Sequence, residues 1–222
     1  MKHKLLLTSA GIVPEIKKEF LSLLPKKKPG DNKVAFITTA AYGENKDPHW
    51  LQKDRQRLYD CGIKDIEEID LRERGETPQE LEKRLTDKDI IFVNGGNTFY
   101  LLEWTRKSGF KRVLSNFLKR GGLYVGVSAG SYLACPTIEQ ATWKRADRNR
   151  WGVTDFKALN LIPFLIVAHF EEKYRTIVDL AAKNTKYPIV ALSDKQAIVV
   201  DGKTVRIVGV GKKEFWNGFK ET

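Results

Sequence analysis

The sequence predicts an α/β protein whose mostly parallel sheet is covered by helices on both faces. Three observations predict it. Apolar runs of strand length alternate with amphipathic stretches along the whole chain. Prolines, glycine pairs and polar turn residues mark the changes from one to the other. The 222 residues fit one such domain, spanning 1–222, and an apolar content of 41% is enough to fill the space between three layers.

The elements follow in order. Residues 4–8 and 33–38 are short, β-rich and bounded by turn residues, as strands are. Between them Ile12, Ile16, Phe20 and Leu23 recur at helical spacing. A second helix is expected over 49–61, with Leu51, Leu58 and Cys61 inward. Residues 66–71 read as a strand that carries Glu67 and Glu68. Residues 77–85 open with a proline in the first turn, a helix-start signal. A strand over 89–93 leads into Asn94-Gly95-Gly96-Asn97 and a helix from 98 to 105. A further helix over 111–119 closes at Gly121-Gly122. Residues 123–127 are a buried strand, and 129–134 open the next helix. A strand over 165–168 ends at His169, and 172–183 is helical. Residues 189–192, 197–201 and 205–208 read as three short strands, the last two a hairpin around Asp201-Gly202. The least regular stretch, 140–157, holds Trp143, Lys144, Arg145, Arg148, Arg150 and Trp151.

Composition narrows the function classes. No apolar run approaches the ~20 residues of a membrane span, and the apolar start is too short for a signal peptide. Two cysteines, Cys61 and Cys135, are too few for a disulfide framework and lack metal-ligand spacing, so a reduced cytoplasm is the compartment expected. A net charge of +11 suits an acidic partner, yet no dense basic block carries it, and a lysine-rich solubilising surface accounts for it.

In a parallel α/β sheet, ligands sit at the carboxyl ends of the strands. That rule selects Gly95–Asn97, Ser128 and His169. Ser128 lies in Gly126-Val127-Ser128-Ala129-Gly130, between a strand and a helix. A hydroxyl is a poor nucleophile unless a base is in reach and its oxyanion is held. A sharp strand-to-helix turn exposes the serine, and its crowded backbone demands small neighbours. Gly126, Ala129 and Gly130 meet that demand, and the Ala129 amide falls at a helix N-terminus, where negative charge is favoured. The bland alternative is a tight turn with Ser128 as a helix cap.

Among three histidines, His169 alone follows a strand's carboxyl end, where Ser128 emerges. An α/β-hydrolase order would place the acid between them, at Asp147 or Asp155. The other order places it after His169, where Asp194 sits in the turn Ser193-Asp194-Lys195 and could hold the imidazole in one tautomer. Gly95 and Gly96 free their backbone to aim amides at an anion. Without a Gly-x-x-x-x-Gly-Lys pattern, half an oxyanion hole is the better reading than a phosphate cradle, with Asn97 capping the helix that follows.

Taken together, these segments resemble the S51 peptidases. The carrying residues are 92–98, 126–130, His169-Phe170 with Arg175 after them, the run from Ser128 through Cys135-Pro136-Thr137-Ile138, and the tail 191–200. The resemblance spans nearly the whole chain. It implies a flavodoxin-like three-layer sandwich of the class I glutamine amidotransferase type, with a serine in place of those enzymes' elbow cysteine. It implies a serine and a histidine at Ser128 and His169, with the third, acidic member matching best at Asp194. It also implies hydrolysis after an N-terminal aspartate. This chain departs there: Trp143 stands where that branch has an aspartate. A P1 aspartate needs a cation, for which Arg175 or the arginines of 144–150 are the candidates.

The expectation is therefore a serine-type peptidase acting on small peptides. Ser128, His169 and Asp194 are catalytic, Gly96 and Ala129 form the oxyanion hole, and Gly95, Asn97 and Arg175 bind substrate. No cofactor or metal is expected, and the partner is a small peptide, with neither membrane nor nucleic acid. Two rivals stand beside it. One is an esterase or amidase on a non-peptide substrate. The other is a binding protein that uses the basic, tryptophan-bearing loop on single-stranded nucleic acid.

Overall fold

The computed structural model describes residues 3–43, 47–72, 77–144 and 147–222. Strand β1 (Lys4–Thr8) leads through Ile12 and Val13 into helix α1 (Pro14–Leu23), which starts on a proline at its first position. Strand β2 (Lys33–Ile37) runs into the short helix α2 (Thr39–Tyr42). Helix α3 (Trp50–Asp60) and strand β3 (Asp65–Ile69) follow. Helix α4 (Pro78–Leu85) is opened by a capping box between Thr77 and Glu80. Strand β4 (Ile90–Val93) leads to α5 (Thr98–Lys107) and α6 (Phe110–Lys119), and strand β5 (Leu123–Val127) to α7 (Ala129–Ala134). The remainder holds β6 (Leu165–Val167), α8 (Arg175–Ala182), β7 (Ile189–Ala191), the hairpin β8 (Gln196–Asp201) and β9 (Thr204–Gly209), and β10 (Glu214–Trp216).

Seven strands form one sheet in the order β3-β2-β4-β5-β1-β8-β9. The first five are parallel, and β8 and β9 are antiparallel. The run β3-β2-β4-β5 is the doubly wound order of a flavodoxin-like sheet, and β1 occupies the place of that fold's last strand. Alternation along each strand divides the core. Leu5, Leu7, Ala35, Ile37, Ile91 and Val93 face a cluster built with α4, α5, α6 and α7. Leu6, Val34, Phe36, Ile90 and Phe92 face a cluster built with α1 and α3. A mostly parallel sheet between two helical layers is therefore the architecture, as the sequence predicts.

The differences have physical reasons. The acidic strand β3 is tolerated because it is the sheet edge. Glu67 pairs with Arg84 and Lys88, and Glu68 with Arg55, which also guards the edge against further pairing. Strand β6 does not join the main sheet. The place beside β1 is taken by β8, so β6 pairs with β7, and β10 completes a separate three-stranded sheet that sequence patterning missed. The helix expected over 172–183 begins as a 3-10 turn, Glu172–Tyr174, before α8.

Candidate active site

Strand β5 ends at Val127 and α7 begins at Ala129, so Ser128 makes the turn alone, with φ 49° and ψ −105°. A non-glycine residue in that region is strained and must be held by its surroundings. Its amide donates to the carbonyl of Thr8 at 3.0 Å. Ser131 Oγ donates to the carbonyls of Thr8 and Gly126, and Tyr124 Oη to that of Gly130. The flanking glycines are steric necessities. A Cβ on Gly126 would stand 2.7 Å from the Gly130 carbonyl, and one on Gly130 would stand 2.2 Å from Val93 O.

His169 lies just past β6, at φ 52°. Its Nε2 is 3.1 Å from Ser128 Oγ, and its Nδ1 is 2.6 Å from Asp194 Oδ1. A carboxylate only accepts, so the Nδ1 proton belongs to that contact and Nε2 is left to accept from the serine hydroxyl. Asp194 sits in a turn closed by the Gln196 amide on Ser193 O at 3.1 Å and the Ser193 amide on Gln196 Oε1 at 3.0 Å. The two alternative acids make other contacts, Asp147 from the wall of a cavity beside Ser128. Asp155 pairs with Arg106, and Asp147 Oδ2 accepts from the Thr98 amide at 2.9 Å.

Ser9, which sequence reasoning missed, joins both partners. Fully buried just past β1, its Oγ accepts from the His169 amide at 2.5 Å and donates to Asp194 Oδ1 at 3.0 Å. Lys144 also meets this turn, its ammonium donating to the carbonyl of Ala168. Burial pushes its pKa down while the carboxylate of Asp147 opposes the shift. Neither residue belongs to a recognisable local pattern; both are brought in by strands or loops distant in sequence.

The glycine turn lies against the serine. A Cβ on Gly95 would be 3.2 Å from Ser128 Cβ, and one on Gly96, at φ 141°, would be 2.2 Å from Ala40 O. Trp50 Nε1 donates to the Gly95 carbonyl at 3.3 Å. The Ala129 amide is the first of α7, where a helix amide has no intrahelical acceptor.

Two residues expected to bind substrate do not reach the site. Asn97 is fully buried, caps α5 through the Tyr100 amide at 2.9 Å and donates to Arg148 O at 2.9 Å, so its side chain is spent on structure. Arg175 pairs with Glu172 and Glu214 and stacks over Phe170 and Trp216. It lines neither cavity at Ser128. Arg145 lies outside the described residues. Trp143 and Trp151 are half-buried against the core, with the Trp151 ring 4.5 Å from that of Tyr100.

Two cavities flank the serine and histidine. One, of about 320 Å³, is lined by Gly95, Gly96, Trp50, Lys53 and the pair Asp54–Arg57. Asp54 is 5% exposed, and burial pushes its pKa up to about 6 although Arg57 opposes the shift from 3.0 Å. The other, of about 200 Å³, is lined by Tyr132, Gln140, Lys144 and Asp147. A larger cavity of about 710 Å³, between α5, α6 and 155–159, lies away from Ser128.

A half-buried serine on a strained elbow, aligned with a histidine and a carboxylate at the carboxyl edge of a parallel sheet, defines a hydrolase-like α/β protein. The model of peptidase family S51 matches residues 5–208, and the chain belongs to that family. It is 30% identical to an uncharacterised peptidase of Listeria monocytogenes over 211 residues, 92% of this chain and 97% of that protein. It is 28% identical to peptidase E of a Nostoc species over 80% of this chain and 72% of that one. A crystal structure of a candidate peptidase E from Listeria monocytogenes superposes with a TM-score of 0.80 at 26% identity, covering 95% of this chain and all of the other. The chain is thus a peptidase by family. Among the described residues no helix is long and apolar enough to cross a membrane.

Proposed function

We propose that this peptidase is serine-type and hydrolyses small peptides through an acyl-enzyme on Ser128. The observation that supports this most is the hydrogen-bonded line from Ser128 Oγ through His169 to Asp194, with contacts of 3.1 and 2.6 Å. Ser128 Oγ attacks the substrate carbonyl carbon while His169 Nε2 takes its proton. Asp194 holds the ring and stabilises the imidazolium. The amides of Gly96 and Ala129 receive the oxyanion. As the C–N bond breaks, His169 gives its proton to the leaving amine. Water then enters, loses a proton to His169 and releases the acid product. The strained backbone at Ser128 keeps Oγ out of the helix-capping position, since no side-chain cap bond is made there.

The cavities favour small substrates: about 200 and about 320 Å³ leave room for about one residue on each side of the scissile bond. Cleavage after an N-terminal aspartate is the family's implication. With Arg175 turned away, it loses one of the cations proposed for it, and the arginines of 144–150 remain the other candidates. Both cysteines are free and buried, which suits a reducing compartment such as the cytoplasm.

A fluorophosphonate probe tests the mechanism. Wild type should be labelled on Ser128 and Ser128→Ala should not, with release of amino acids from a dipeptide panel lost in parallel. A folded wild-type protein that takes no label and cleaves no dipeptide would falsify the reading.

A further inference from the structure

The smaller cavity beside Ser128 contains an anomaly. Gln140, 1% exposed, lines it, and neither its Oε1 nor its Nε2 has a hydrogen-bond partner among the described residues. The buried thiol of Cys135 lies against it, a weak partner that itself donates to Ser131 O. Buried polar groups are nearly always satisfied, so an orphaned carboxamide on a cavity wall next to a nucleophile signals a ligand that completes it.

The chemistry of that ligand follows from the orphaned atoms. Oε1 needs a donor and Nε2 needs an acceptor. A primary carboxamide supplies both in one plane. A carboxylate can accept from Nε2 but sets its other oxygen against Oε1, and an aliphatic group satisfies neither. Net charge does not override this among the described residues. One Lys144 proton goes to the Ala168 carbonyl, and the carboxylate of Asp147 on the same wall balances the ammonium's charge. Asp147 is also the anion here that can meet a substrate's α-ammonium. The opposite cavity carries Lys53 beside the Asp54–Arg57 pair, and its ammonium suits a C-terminal carboxylate. A dipeptide laid across Ser128 therefore finds its amino end in the Gln140 cavity and its carboxyl end in the other.

We propose that the Gln140 cavity is the S1 subsite for an N-terminal asparagine, with Gln140 as the specificity-determining residue, so that the enzyme prefers Asn-X to Asp-X dipeptides. This rests on the serine-peptidase reading, and the test separates the two. Release of leucine from asparaginyl-leucine, aspartyl-leucine and leucyl-leucine is measured for wild type and Gln140→Leu, alongside fluorophosphonate labelling. Wild type should favour asparaginyl-leucine in kcat/KM by about 30-fold over either competitor, the ratio expected when about 2 kcal/mol of buried hydrogen bonding is satisfied by only one of them. In Gln140→Leu, the ratio of asparaginyl-leucine to leucyl-leucine should fall to within about threefold. If that variant does not fold, Gln140→Glu replaces it. The new carboxylate can still accept from an asparagine amide but repels aspartate, so the Asn-to-Asp ratio should rise. Preference for aspartyl-leucine, or ratios unmoved by the variant, would overturn the proposal. So would a labelled enzyme that cleaves none of the three, which leaves the serine hydrolase standing. A folded protein that takes no label and cleaves none of them would remove both.

Discussion

Removing the hydroxyl of Ser9 should slow the enzyme without touching the nucleophile. Ser9 Oγ is one of two donors on Asp194 Oδ1, at 3.0 Å, the other being His169 Nδ1 at 2.6 Å. It is also the acceptor for the His169 amide at 2.5 Å. Hydrogen bonds to charged groups contribute about 1.5–3 kcal/mol, or about 10- to 150-fold in rate if lost wholly in the transition state. Two features place Ser9→Ala at the low end. A hydroxyl-to-carboxylate contact of 3.0 Å is long against the ~2.6 Å of a strong one. The Asp194 side chain is 61% exposed, so water replaces part of what is lost. The expected loss is about 10-fold in kcat with KM changed less than about threefold. Orphaning the buried His169 amide should also cost about 1–3 kcal/mol of stability, so kinetics belong well below the melting temperature. Ser9 is a positioning residue, and a double-mutant cycle reads that. In an Asp194→Asn background, Ser9→Ala should cost less than about threefold, because the carboxylate it positions is already gone. A full 10-fold loss in both backgrounds, or less than twofold in wild type, would refute the reasoning.

Other expectations follow from the same geometry. Asp194→Asn should lower kcat by about 10⁴-fold while fluorophosphonate labelling slows but persists, because the amide favours the wrong imidazole tautomer; unchanged turnover would remove Asp194 from the relay. Gly130→Ala should destabilise the fold by about 1–3 kcal/mol or more in chemical denaturation, since its Cβ meets Val93 O at 2.2 Å; a melt within 2 °C of wild type would contradict this. Asp54 titrates at about 6 in the folded protein against an ordinary value of 3.8, so the folded state binds its proton more tightly. Wild-type stability should therefore fall by about 2–3 kcal/mol as pH rises from about 4 to about 6, relative to Asp54→Asn, which lacks that slope. Parallel melts of the two proteins across that range check the sign.

Much of this was legible in the chain. The 2-residue alternation of the strands, the proline and capping signals at α4 and the small residues around Ser128 are local features, and local features survive folding when the core agrees with them. Ser128 and His169 were legible as candidate partners because each follows a strand's carboxyl end. The candidate carboxylate was open between Asp147, Asp155 and Asp194. That choice depends on how β6 and β7 pair, and pairing is non-local. Arg175 shows the converse error. Its position after His169 suggested a substrate contact, but the side chain reaches about as far as Glu172 and Glu214, and those carboxylates claim it.

By itself the sequence determined the layered sheet, the strained serine turn and the histidine at the same edge, because periodicity, backbone sterics and helix-start chemistry act over a few residues. The tertiary structure decided which carboxylate faces His169, that Ser9 ties the two together across 160 and 185 residues of chain, and that Gln140, among the described residues, has no hydrogen-bond partner beside Ser128. These are matters of which side chains become neighbours and which polar groups lose water without gaining a partner. Such facts exist only once the whole chain has packed.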